Sequence, residues 1–74
     1  SDDRVLSPIT GKLLDSKEAT GNSVSKGDVI LVLEAMKMEH RLTAPRDGKI
    51  SRMTEVEVGG QVKEGDFMFE LVDK

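Results

Sequence analysis

The sequence predicts an all-β domain built on a pseudo-twofold internal repeat. Three observations carry this reading. Turn signals are dense: "SPITG" (7–11), "TGN" (20–22), "SKGD" (25–28), "APRDG" (44–48), "VGG" (58–60) and "KEGD" (63–66). The stretches between them are short and β-prone, and none has both the length and the 3.6-residue period of a helix. Finally, one set of residues occurs twice. Pro8, Gly11 and Lys12 recur 37 residues later as Pro45, Gly48 and Lys49; Gly21, Val24, Gly27, Asp28 and Leu33 recur 38 residues later as Gly59, Val62, Gly65, Asp66 and Leu71. One inserted residue between Gly48 and Gly59 accounts for the change of offset. Two halves, about 5–36 and 38–73, therefore share one plan, each expected to cover the other's apolar face.

The elements follow in order. "RVLS" (4–7) opens as a strand and ends at Pro8, whose fixed φ and missing N–H suit a corner. "KLLD" (12–15) is the next strand. "SKEATGNS" (16–23) is polar and reads as an edge or a loop. Gly27-Asp28 supplies a tight turn with a residue at positive φ, leading into the long strand "VILVLEA" (29–35). The second half repeats the plan with "EHRLTA" (39–44), the Pro45 corner, "KISRM" (49–53), the Gly65-Asp66 turn and "FMFELV" (67–72). Strict alternation puts Val29, Leu31 and Leu33 on one face, and Phe67, Phe69 and Leu71 on another; these six are the expected core.

Composition narrows the function. Seventy-four residues make one small domain with little material for a catalytic pocket. There is no cysteine, so neither a disulfide nor a Cys-based zinc site is available, and one histidine, His40, argues against a His-rich metal site or a Ser-His-Asp triad. Alternation groups His40 with Met38 and Leu42, as a partly buried or edge side chain. A net charge of −3 without a basic block speaks against nucleic acid. The longest apolar run, 29–33, is too short to span a membrane, and no signal peptide is visible. The start, "SDDRV", lacks methionine and reads as a processed or excised domain, with Ser1 foreign to the native chain.

One short stretch departs from ordinary turn chemistry. "EAMKME" (34–39) joins the two halves, and the repeat puts Lys37 at the tip of the linking hairpin, away from the chain ends. A solvated tip usually takes glycine, asparagine or aspartate. Here two methionines, Met36 and Met38, flank an amine, and neither is well placed to fill its own domain's interior. They are adaptable contact surface beside a group that can act as a nucleophile.

These residues carry a resemblance. "EAMKME", the Pro-x-x-Gly opening, the "V-x-x-G-D" turn and the "AP-x-x-G" second half are similar to the biotinyl domain, the biotin carboxyl carrier module of biotin-dependent carboxylases. The resemblance implies a flattened β-barrel, or barrel-sandwich hybrid, of two four-stranded antiparallel sheets. It implies that Lys37 accepts biotin as an amide from a biotin protein ligase. Biotin carboxylase, using ATP and bicarbonate, would then load the ring, and a carboxyltransferase would unload it. An ordinary lysine is neutral in only about one molecule in 2,500 at pH 7, so deprotonation falls to the ligase. Met36, Met38, Ala35, Glu34 and Glu39 are expected to be read by the ligase, the two glutamates for recognition or solubility and not catalysis. The domain itself would be a carrier and not an enzyme, with the parent a ligase-class carboxylase, cytoplasmic in a bacterium or in the mitochondrial matrix of a eukaryote. Modification would move the net charge from −3 to −4.

Other readings fit the residues less well. Lipoyl domains share the fold, but usually carry D-K-A where this chain has M-K-M. A barrel-sandwich adaptor would usually lack the motif. A small hydrolase using Asp28, Asp66 or the glutamates finds no carboxylate pair that the sequence alone can place, and both aspartates fit local turn bonding. Between Gly11 and Gly27 there is no room for the protruding thumb of some bacterial acetyl-CoA carboxylase carriers, and "MKMEH" with "APRDG" leans towards acyl-CoA carboxylases.

Overall fold

The computed structural model describes residues 3–74; the reading of Ser1 lies outside them. Eight strands run in chain order: β1 (Arg4–Leu6), β2 (Gly11–Ser16), β3 (Ser23–Val24), β4 (Val29–Ala35), β5 (Met38–Thr43), β6 (Gly48–Met53), β7 (Gln61–Val62) and β8 (Phe67–Val72). They form two four-stranded antiparallel sheets, ordered β1-β8-β6-β3 and β5-β4-β2-β7. The stretch 17–22 is irregular and leads into β3, a two-residue edge strand.

The internal repeat explains both sheet orders at once. Advancing by half the chain turns β1, β2, β3 and β4 into β5, β6, β7 and β8, and converts one order into the other. The halves interleave, each sheet taking two strands from each half. Cross-half hydrogen bonds obey the same symmetry. The Gly21 N–H donates to the Ile50 carbonyl at 2.8 Å, and the Gly59 N–H to the Leu13 carbonyl at 2.7 Å. Even unlike residues serve alike: Thr10 Oγ1 accepts from the Glu64 N–H at 2.9 Å, where Asp47 Oδ1 accepts from the Lys26 N–H at 2.8 Å. Gly27 and Gly65 both sit at φ 92°, as the turn chemistry predicts.

The core corrects the expectation from alternation. Leu31, Leu33, Phe69 and Leu71 are buried, but Val29 and Phe67 are only partly so, while Ile30 and Met68 are fully enclosed. The cause is a pair of equivalent β-bulges. Val29 pairs with Thr43 and Leu31 with Leu42, leaving Ile30 unpaired; Leu6 pairs with Phe67 and Val5 with Phe69, leaving Met68 unpaired. An extra residue shifts the pleat by one, so two consecutive side chains point inward. The interior is then filled by symmetric partners, Leu13 with Ile50, Val24 with Val62, Ile30 with Met68, Leu31 with Phe69 and Leu33 with Leu71.

The long axis is set by β4. The turn that leads into it sits at the end that also holds Asp3 and Asp73: the Gly27 N–H donates to the Ala44 carbonyl, the Lys26 N–H donates to Asp47, and Arg46 holds Asp3 at 3.0 Å and Asp73 at 3.1 Å. Seven residues later β4 reaches its hairpin turn, about 20 Å away at strand rise. In a body of 35 × 19 × 18 Å, the hairpin turn and the Asp3–Arg46–Asp73 cluster therefore occupy opposite ends.

Candidate functional site

The β4–β5 hairpin pairs Leu31 with Leu42, Leu33 with His40, Glu34 with Glu39 and Ala35 with Met38. The last pair leaves a loop of two residues, Met36 and Lys37, at φ 54° and 66°. Positive φ at both central positions is what a type I′ hairpin turn requires, and it matches the right-handed twist of the flanking strands. Asn-Gly or Gly-Gly would meet that demand easily; Met-Lys meets it at a steric cost. Among the described residues these are the only non-glycine positions at positive φ.

The apolar residues do not fill the barrel end. Met36 is 94% exposed and Met38 64%. Lys37 is exposed between them and, among the described residues, its ammonium is in no ion pair. Exposure alone does not single it out, because all seven lysines are exposed. Its place at the apex of a strained turn, beside two exposed thioethers, does.

Below the tip, side chains divide by strand face. Met38, half-buried His40 and buried Leu42 follow one another on the face that leads into the core, the grouping read from sequence. Half-buried Glu34 and exposed Glu39 stand opposite each other on the outer face. Two facing carboxylates repel. The repulsion is moderated by Lys12, across from Glu34 on β2, and by Arg41, 3.9 Å from Glu39. Ala35 is half-buried and closes the turn against Met38.

One supporting residue was read from sequence only as a repeat glycine. A Cβ on Gly11 would collide with the Glu34 carbonyl oxygen and touch the Ala35 Cβ, so β2 can approach the neck of the hairpin only because residue 11 has no side chain. Its symmetric counterpart, Gly48, stands in the same relation to the Val72 carbonyl oxygen.

The remaining candidates are accounted for locally. Asp28 Oδ2 accepts from the Ser25 N–H at 2.9 Å, and Asp66 Oδ2 from the Lys63 N–H at 2.8 Å, so each carboxylate closes its own turn. A side groove of about 720 Å³ runs past Thr20, Arg52, Glu55 and Phe67, with the Arg52 guanidinium 4.6 Å from the Phe67 ring centre. It does not include the tip, and its Ser51 hydroxyl donates to the Glu70 carbonyl at 3.2 Å and lies 3.4 Å from the Glu70 carboxylate.

The geometry agrees with comparisons to known proteins. A family model described as "Biotin-requiring enzyme" matches residues 3–71. The chain is 39% identical over 71 residues to the biotin-dependent acyl-coenzyme A carboxylase alpha3 subunit of Mycobacterium leprae, covering 96% of this chain and 12% of that protein. It is 41% identical over 69 residues to the biotin carboxyl carrier protein of acetyl-CoA carboxylase of Solanum lycopersicum, covering 93% of this chain and 97% of that protein. A solved single-chain, multi-domain long-chain acyl-CoA carboxylase superposes on 97% of this chain and 7% of its own, with a TM-score of 0.83 and 31% identity. The match runs along nearly the whole chain, through both halves and the hairpin between them: the chain belongs to the biotin-requiring enzyme family and is a biotin carboxyl carrier domain.

Proposed function

We propose that Lys37 is the attachment residue and that biotin is joined to it by an amide bond. The observation that carries this reading is the two-residue turn, which lifts one lysine clear of the domain at the end opposite the Asp3–Arg46–Asp73 cluster. The tip fits such a group: Lys37 is exposed and, among the described residues, its ammonium is in no ion pair. In the loading step the neutral Lys37 amine attacks the acyl carbon of biotinyl-adenylate, the bond to AMP breaks, and the amine gives up a proton to the ligase. Met36 and Met38 offer the ligase apolar contact on either side of that amine, while Glu34 and Glu39 mark the outer face of the neck. Attached biotin would supply a ring that takes up a carboxyl group and later releases it.

The chain's own contribution to turnover is position. A rigid hairpin at one end of the domain allows a tethered group to reach two separate active sites at high effective concentration. Biotin carboxylase and a carboxyltransferase are the partners this reading implies, and an acyl-CoA is the acceptor suggested by the relatives' names. The chain spans about an eighth of the length of the mycobacterial relative. A parent carboxylase of the ligase class is accordingly part of the proposal.

The test is to incubate the chain with biotin, ATP and a biotin protein ligase, then locate the label by peptide mapping. Label confined to Lys37 supports the reading. Label on another lysine contradicts it.

A further inference from the structure

The four methionines are the only sulfur in the chain, which has no cysteine, and their exposures differ sharply. Met68 is fully enclosed in the core and Met53 is packed part-buried against it. Met36 and Met38 are 94% and 64% exposed, on either side of Lys37. Met36 stands in the two-residue turn at the end of β4, where its side chain is left almost wholly uncovered. Oxidation of methionine follows access, so the most reactive sulfur in the molecule lies next to the attachment lysine.

We propose that Met36, with Met38 beside it, is an oxidation-sensitive modification site that controls loading of Lys37. The proposal rests on Lys37 being the residue that is loaded. The co-reactant is a peroxide. The thioether sulfur attacks one peroxide oxygen and the O–O bond breaks. That oxygen stays on sulfur as the sulfoxide, and the other leaves as water. Sulfur loses two electrons and the peroxide gains them. A dithiol reductase reverses the change, releasing the oxygen as water and forming a disulfide on the reductase. The sulfoxide is polar and chiral, so a tip that offered two soft apolar side chains presents strongly hydrated oxygens instead, and a ligase surface must strip that hydration to reach the amine. The barrel is untouched, because Met68 is out of reach and the tip makes no core contact.

The experiment treats the folded chain with dilute hydrogen peroxide, removes the peroxide and maps the oxidised methionines by mass spectrometry. Labelling by biotin protein ligase is then timed for treated and untreated samples. Expected are sulfoxide at Met36 ahead of Met38, none at Met68, and labelling slowed about tenfold or more, the scale of losing one buried methionine contact. Methionine sulfoxide reductase with dithiothreitol restores the rate. A Met36→Leu/Met38→Leu double variant, whatever its own rate, labels equally fast with and without peroxide. Full-speed labelling of a chain whose Met36 is mapped as sulfoxide overturns the proposal, as does preferential oxidation at Met53 or Met68. Slowing of the double variant by peroxide overturns it too, since the lesion then lies elsewhere. An untreated chain that takes no label contradicts the reading of Lys37 itself, and is thereby told apart from a failure of the switch alone.

Discussion

Met36 and Lys37 are neighbours that both stand in the left-handed region, at φ 54° and 66°, in a turn whose strands close on the Ala35–Met38 pair. Each residue with a Cβ costs about 1–2 kcal/mol in that region, so the tip is built against local stability. The side chains that strain the turn are those that carry the proposed function, and such strain commonly gathers at functional positions.

Replacing one of them with glycine separates the two demands. Met36→Gly relieves the left-handed strain, offset in part by the greater freedom of glycine in the unfolded chain, and buries nothing less, since Met36 is 94% exposed. A net gain of about 0.5–1 kcal/mol in unfolding free energy is expected, together with weaker labelling by the ligase. Urea unfolding and labelling rates on the same protein check both signs.

The neck of the hairpin depends on Gly11. Gly11→Ala drives a Cβ into the Glu34 backbone oxygen, which cannot swing aside as a side-chain end would. β2 must then move away from β4, at a cost of about 1–3 kcal/mol, the usual range for overpacking. Denaturant unfolding measures the loss, and amide exchange localises it to the β2–β4 pair.

Bulge geometry predicts an inversion between two adjacent residues. Ile30→Ala opens a cavity in the core and costs about 2–5 kcal/mol. Val29→Ala, at the half-buried position that simple alternation would favour, costs less than half as much. Equal losses would contradict the bulge at Ile30.

At the surface, the Lys17 ammonium lies 2.8 Å from Asp15 Oδ2, and this hydrogen bond and charge hold the Asp15 carboxyl below its ordinary value. A carboxyl lowered in the folded state contributes stability that is present above its unfolded pKa and lost as pH falls through the lowered folded value. Lys17→Ala should raise the Asp15 pKa towards the ordinary aspartate value, read by carbon-13 NMR titration. The stabilities of the two proteins should converge at the acid end, and salt should shrink the difference at neutral pH.

How much of this was legible in the sequence depended on how local each feature is. Lys37 and its flanking methionines could be read directly, because a tip without glycine or asparagine violates turn chemistry within six residues. The repeat was legible through Pro8, Gly11, Gly27 and Asp28 and their partners, and it led to the glycines at φ 92°. The core was legible only as far as period two holds. Leu31 and Phe69 followed it, but the bulges at Ile30 and Met68 arise from pairing with β5 and β1, which no single strand encodes. The two-residue strands β3 and β7 are too short for any period, and they exist because Val24 and Val62 lie beside Gly48 and Gly11. The close approach of Gly11 to Glu34 is likewise a tertiary fact.

The most direct test of the central claim is intact mass after incubation with biotin, ATP and biotin protein ligase, for the parent chain and for Lys37→Ala in parallel. Lys37 is exposed at the tip and its replacement removes no core contact, so both proteins should fold alike by circular dichroism. One added biotinyl group is expected on the parent and none on the variant. An equally labelled variant, or a folded parent that stays unlabelled but takes lipoyl from a lipoyl ligase, would contradict it.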